Sequence, residues 1–302
     1  MKRIKRICAA AAALLLLTGC TGRGTEQSAA AESTAKEETV LRIGIPKAPP
    51  ALPVLRLMDA GLLGEEVRVE LDIWDAPEQL IAMVQDGKHD MFAFPLTVAA
   101  KLYNKGIDVR LTNVNTWGVT YFMTSDPNLT QWSQLKGKTV YVPLQSSPPD
   151  ALTQFFLREA GLTPGEDVEI IYSSTSEISQ MLAAGTISYA VLIEPQATAA
   201  RLKNENVRVA FSFEEEWQRV RQDDSLVPNA GFGTTQDFAL RYPEFVENFE
   251  RAYEEAIPNM GLNYRSAKEA KADLDSFYQL LSDFDPQMIG GSIPDEAMYY
   301  GN

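Results

Sequence analysis

The residues best suited to holding a small molecule lie in short turns between apolar runs and helical ones. Ser147 stands directly before Pro148, Pro149 and Asp150, with Gln145 and Ser146 leading into it. A serine there caps a helix, and proline is tolerated at the first helical position. Backbone N–H groups at such a helix start, helped by the helix dipole, suit an anionic or polar acceptor group. The same residues serve equally as an ordinary cap. Pro95-Leu96-Thr97 is a second turn of this kind. Thr97 either caps the next helix or bonds a solute through its hydroxyl. Lys47 and Ala48 open a proline-rich loop after the first strand, and Lys47 is either the cation that meets an anion or a solvated lysine. Asn115 can hydrogen-bond a solute, and Trp117 can stack on a planar or apolar one. Trp117 fits an ordinary core position as well, and Trp74 has the same two readings. Glu194, before Pro195, accepts from an amine or ring N–H, or balances a helix start. Alanine at Ser147 or at Trp117 is expected to weaken binding.

Catalytic groupings are missing from this pattern. His89 is the sole histidine and sits in a turn-like Asp86-Gly-Lys-His-Asp90, so a triad or a histidine-rich metal site has one residue to draw on. Nothing sets Asp150 and Glu194 at a useful separation for paired carboxylate chemistry. Gly231-Phe-Gly233 stops short of a dinucleotide fingerprint. The expectation is a binding protein, not an enzyme, with no cofactor and no metal.

These turns are positioned by alternating strand and helix. Strand patterns fall at 40–45, 67–73, 91–94, 109–114 and 118–124, with helices at 53–61, 77–86 and 97–104 between the first four. The alternation then starts again. Strands at 137–142, 168–172, 188–193 and 207–211 alternate with helices at 149–160, 176–184 and 195–203, and helices at 243–256 and 267–281 follow. Two such rounds predict an α/β protein with two lobes. In open α/β sheets ligands bind at the carboxyl ends of the strands, where the turns above lie.

The start of the chain carries its own chemistry. Lys2, Arg3, Lys5 and Arg6 precede an apolar run to Leu17, and Leu17-Thr18-Gly19-Cys20 follows. Eleven apolar residues are fewer than the roughly 20 that span a bilayer. The pattern resembles a bacterial lipoprotein signal. That resemblance implies cleavage of residues 1–19, lipidation of Cys20, and anchorage on the extracytoplasmic face of a cell membrane. Losing the four leader charges takes the formal net charge from -14 to -18. An acidic surface argues against nucleic acid as a partner. Cys8 leaves with the leader, so no thiol or disulfide chemistry remains. Residues 20–39, rich in Ala, Ser, Thr and Glu, read as a flexible tether.

From Leu41 onward the chain resembles the solute-binding proteins of ATP-driven importers, in the branch for nitrate, sulfonates, taurine and thiamine precursors. The resemblance rests on ordered phrases: Arg42-Ile-Gly-Ile45, Asp59-Ala-Gly-Leu-Leu-Gly64, Gly87-Lys-His-Asp90, Leu135-Lys-Gly-Lys-Thr-Val-Tyr-Val-Pro143, Ser146-Ser-Pro-Pro-Asp150, Leu182-Ala-Ala-Gly185 with Glu194-Pro195, and Ile289-Gly-Gly-Ser-Ile-Pro294. It implies the type II periplasmic-binding-protein fold, with two lobes, two crossings and a small-molecule ligand between them. Mapped onto this chain, lobe 1 is 40–125 plus 228–302 and lobe 2 is 126–227. The implied role is capture of a small organic solute or oxyanion and its delivery, by a monomer, to a permease and ATPase complex. Two other roles stay open for the same fold: an enzyme of cofactor biosynthesis, or a lipoprotein that presents ligand to a sensor.

Overall fold

The structure, a computed structural model, describes residues 39–258, 260 and 262–301. The signal segment, Cys20 and the tether up to residue 38 lie outside the described residues. Thr39, expected as the end of the tether, begins the first strand.

The chain runs β1 (Thr39–Pro46), α1 (Ala51–Asp59), β2 (Val67–Trp74), α2 (Pro77–Gln85), β3 (Met91–Pro95), α3 (Leu96–Asn104) and β4 (Val109–Trp117). It continues with β5 (Thr120–Thr124), β6 (Thr139–Pro143), α4 (Pro148–Glu159), β7 (Glu169–Ser173), α5 (Thr175–Ala183), β8 (Tyr189–Ile193), α6 (Gln196–Lys203), β9 (Arg208–Ser212) and α7 (Phe213–Arg221). Last come β10 (Pro228–Thr235), α8 (Gln236–Arg241), α9 (Pro243–Ala256), β11 (Arg265–Ser266) and α10 (Lys271–Phe284).

Two mixed sheets result. The first has the order β11-β4-β10-β3-β1-β2, and the second β7-β6-β8-β5-β9. β1 pairs in parallel with β2 and β3, and β6 pairs in parallel with β7 and β8. Helices cover the faces of such parallel strands, which explains the unbroken apolar run of β3. The two sheets share one packed core. Phe277 of α10 meets Trp217 of α7 at 5.7 Å, and Phe284 of α10 meets Phe155 of α4 at 5.4 Å.

Several elements differ from the sequence reading, among them β5, α7 and β10, with α8 and β11 also unforeseen. Thr120–Thr124 was expected with the first group of strands, yet β5 pairs antiparallel with β8 and β9 in the second sheet. The chain therefore leaves the first sheet at Gly118-Val119, before the expected crossing at residue 125. It returns at Val227-Pro228, and the two crossings touch, because Gly118 N–H donates to the Val227 carbonyl at 3.0 Å. α7 was not predicted at all; its glutamates mask an apolar pair, Phe213 and Trp217, that is fully buried. β10 was not predicted either, because Phe232 is the single strand former in its Pro-Asn-Ala-Gly-Phe-Gly start. Its glycines answer to close packing instead. A Cβ at Gly231 would lie 1.9 Å from the Asn113 carbonyl oxygen, and one at Gly233 2.5 Å from that of Arg110.

Candidate functional site

The carboxyl ends of the parallel strands from both sheets converge on one cavity of about 50 Å³. Pro46 ends β1, Trp74 ends β2, Pro95 ends β3 and Ile193 ends β8, and all four line it. Ser147, Pro148 and Pro149, at the start of α4, close the opposite side. Pro46, Ala48, Trp74, Leu144 and Ile193 also line an adjoining outer cavity of about 420 Å³, so the small chamber opens into a wide mouth.

The chamber is apolar except for a few groups, and two of these have no partner. Ser147 is fully buried, and its Oγ makes no hydrogen bond among the described residues. Although it occupies the cap position of α4, its hydroxyl caps nothing. Trp74 is 2% exposed, and its Nε1 is likewise unpaired. Buried polar side chains are nearly always hydrogen-bonded, so two bare donors on one cavity mark a place built for an acceptor. Asn229, by contrast, accepts from Thr120 Oγ1 at 3.2 Å.

The loop that delivers Ser147 is strained and held from several sides. Leu144 and Ser146 have φ of 54° and 66°, which places non-glycine residues in the left-handed region. Asp150, buried in the first turn of α4, accepts from Ser146 N–H at 2.6 Å, Gln154 Nε2 at 2.9 Å and the Tyr172 hydroxyl at 2.9 Å. Burial pushes the Tyr172 hydroxyl well up, and the Asp150 charge adds to that. Thr97 Oγ1 donates to the Ser146 carbonyl at 2.7 Å, a bond between α3 and the α4 loop.

The sequence candidates therefore separate into groups. Ala48, Pro95 and Ser147 line the chamber, and Lys47, Ala48 and Glu194 line the mouth. Lys47 faces Asp75 at 3.4 Å. Glu194 accepts from Thr198 N–H at 3.2 Å and from its Oγ1 at 3.0 Å, at the start of α6. Thr97, Ser146 and Asp150 brace the loop, and Gln145 is exposed on it. Asn115 and Trp117 line neither cavity: Asn115 Nδ2 donates to Asn113 Oδ1 at 2.8 Å, and Trp117 Nε1 donates to the Asn263 carbonyl at 2.8 Å. Trp74, Thr116, Val119, Leu144 and Asn229 also line the chamber. For Trp74 the available signal was its place at the carboxyl end of a strand.

Chemically, the arrangement can bind but shows no catalytic grouping. His89 spends both ring nitrogens on Asp72 and Asp86, at 2.9 and 3.1 Å. Asp150 and Glu194 line different cavities. Among the described residues no cluster of three or more His, Cys, Asp or Glu could hold a metal ion.

Residues 63–272 match the NMT1-like family. The chain belongs to that family. Residues of this NMT1-like chain also align, at 28% identity over 163 residues, with a Bacillus subtilis (strain 168) protein named as a binding protein, YtlA. The match covers 54% of this chain but only 45% of YtlA, less than half its length. Among solved structures, an ABC transporter protein from Parabacteroides distasonis matches with a TM-score of 0.66 at 22% identity, covering 87% of this chain and 99% of the other. The periplasmic aliphatic sulphonate binding protein SsuA from Escherichia coli gives 0.58 at 16% identity, covering 85% and 80%. The periplasmic nitrate-binding protein NrtA from Synechocystis PCC 6803 gives 0.56 at 15%, covering 82% and 66%. The fold is that of type II periplasmic binding proteins.

Proposed function

We propose that this chain is the extracytoplasmic solute-binding component of an ATP-driven importer. It captures a small organic solute in the chamber and mouth, and hands it to a membrane permease powered by an ATPase. The observation that carries this reading is the convergence of strand ends from both sheets on a cavity with an unpaired, buried Ser147 hydroxyl. Strand ends at a meeting of sheets are where α/β folds take ligands. The names of the fold neighbours agree with transport.

In this reading the two sheets are the cores of two lobes, and the touching strands at Gly118-Val119 and Val227-Pro228 are the hinge. Closure about a few residues at the ends of elements is a common response to ligand. The leader, Cys20 and the tether hold a monomer on the outer face of the membrane within reach of the permease. Lys47, Ala48, Pro95, Ser147 and Glu194 contact the solute, with Trp74 added to the set.

A thermal-shift panel of sulfonates, taurine, nitrate, bicarbonate, amides, heterocycles and aromatic acids tests the reading. A solute at about 100 times its Kd adds roughly 2.7 kcal/mol of stability, a rise of a few degrees in Tm. At least one solute is expected to give that rise without being turned over. Turnover of a hit, or a flat panel from protein whose denatured extract also holds no small molecule by mass spectrometry, would reject it.

A further inference from the structure

We propose that the chamber takes an uncharged carbonyl or sulfonyl group of the solute, and that Trp74 Nε1 and Ser147 Oγ donate to its oxygen atoms. This rests on the solute-binding reading above and narrows it to one class of ligand. The two donors line the same chamber, are 2% and 0% exposed, and have no partner among the described residues. An indole N–H can only donate, so what satisfies it must be an acceptor.

The same chamber is hostile to an anion. Among the described residues, no charged side chain lines it. Six of its lining residues are prolines: Pro46, Pro49, Pro50, Pro95, Pro148 and Pro149. Proline has no N–H to offer. Two of them fill the first positions of α4, the helix start that would otherwise attract negative charge. Two neighbouring N–H groups are already engaged, Ser147 N with the Leu144 carbonyl at 2.9 Å and Ala151 N with the Ser147 carbonyl at 2.9 Å. The Asp150 carboxylate sits in that first turn and accepts from Ser146 N–H. At α6, Glu194 in the same way accepts from Thr198 N–H. Both helix starts thus carry a carboxylate of the protein itself, where an anionic solute would meet repulsion. In the mouth Lys47 faces Asp75, and Glu194 leaves the three charges at a negative sum. An anion driven into this setting loses its hydration without gaining a counter-charge. An uncharged oxygen acceptor loses far less and satisfies both bare donors.

The sizes fit a two-part solute. About 50 Å³ admits one functional group, and the adjoining 420 Å³ takes the rest of the molecule. Donor groups on that remainder would find Glu194, Asp75 and the hydroxyls of Ser174 and Ser176.

Matched pairs that differ in charge test the proposal: methanesulfonamide against methanesulfonate, and nicotinamide against nicotinate. Each is titrated calorimetrically into the full chain in detergent at pH 7.5, together with every hit of the thermal-shift panel. The uncharged members, or uncharged hits, are expected to bind about tenfold more tightly than their anionic counterparts. Ser147→Ala and Trp74→Phe should each lower that affinity by about tenfold, the value of one buried hydrogen bond. Ser147→Ala removes a single oxygen and keeps the comparison valid where Trp74→Phe fails to fold. Tighter binding of anions, or an uncharged hit indifferent to Ser147→Ala, overturns the inference and leaves the solute-binding reading standing. No binding by any probe or panel member, from protein whose denatured extract also holds no small molecule, overturns both.

Discussion

Two buried polar regions of this molecule differ in how far their donors are hydrogen-bonded. Beside β4, Asn115 donates to Asn113, Thr116 Oγ1 donates to Asn115 Oδ1 at 2.7 Å, and Asn113 Nδ2 donates to Glu250 at 2.8 Å. The Tyr264 hydroxyl donates to the same carboxyl at 3.0 Å. In the chamber, Ser147 and Trp74 present donors that the protein leaves bare. Both regions are made of residue types that bind solutes. What separates them is how far the fold has already used their capacity: beside β4 the amide and hydroxyl donors just named are spent, and Glu250 Oε1 and Thr112 Oγ1 are left over. A paired polar cluster fixes strand register and specifies the core; an unpaired donor keeps its free energy for a partner from outside.

The largest expected break comes at the seam between β4 and β10. Gly231→Ala puts a Cβ against the Asn113 carbonyl, at 1.9 Å before any shift. We expect a loss of about 3 kcal/mol or more in denaturant unfolding, or no soluble protein. Near wild-type stability would show that the paired region has slack, and would weaken the contrast.

Next comes Glu250. Burial pushes its carboxyl up to about 7, against the pull of its hydrogen bonds to Asn113 and Tyr264. The folded state thus holds the proton more tightly than the unfolded one, whose carboxyl keeps its ordinary value near 4.5. Glu250 therefore costs stability as pH rises from about 4.5 through about 7, and the cost levels off above that. Glu250→Gln lacks this fall. It should match the wild type near pH 4.5 and exceed it by about 3 kcal/mol at pH 8, with solute affinity unchanged. Parallel Tm curves for the two proteins across that range would refute the assignment.

Trp117→Ala is the smallest and the most discriminating. It loses the bond to Asn263 and the stacking of the Arg265 guanidinium, 4.7 Å from the ring centre. A drop of about 1.5 kcal/mol is expected, with solute affinity within about threefold of wild type. A tenfold loss of affinity with unchanged Tm would move the site onto β4.

The turn that holds the chamber was legible from its chemistry. Ser147 follows a strand, opens a helix and precedes two prolines, which sets it at a strand end, and it lines the chamber. The prolines were legible too, although their consequence was not: the same dipeptide that marks the helix start removes the N–H groups that make helix starts attractive to anions. At β4 the sequence pointed to Asn115 and Trp117, and neither lines the chamber or its mouth. Side chains alternate along a strand, so Asn113, Asn115 and Trp117 fall together, and Thr116 between them is the one that lines the chamber. Nothing in a single strand of sequence says which alternate set meets the cavity. β10 was invisible for a related reason. Its glycines are set by how closely a neighbouring backbone approaches, and that is a property of the assembled sheet.

The proline wall also bears on how such a protein changes its diet over generations. A pocket lined by backbone donors is rebuilt only by moving the main chain, which disturbs packing. Here the ring-locked wall is inert, and under the binding mode proposed above choice among solutes is concentrated in two side chains. On that proposal, exchanging Ser147 or Trp74 redirects recognition while the scaffold stays as it is. Descendants with new substrates are then one or two codon changes away, so near relatives on this fold should diverge in ligand sooner than in shape.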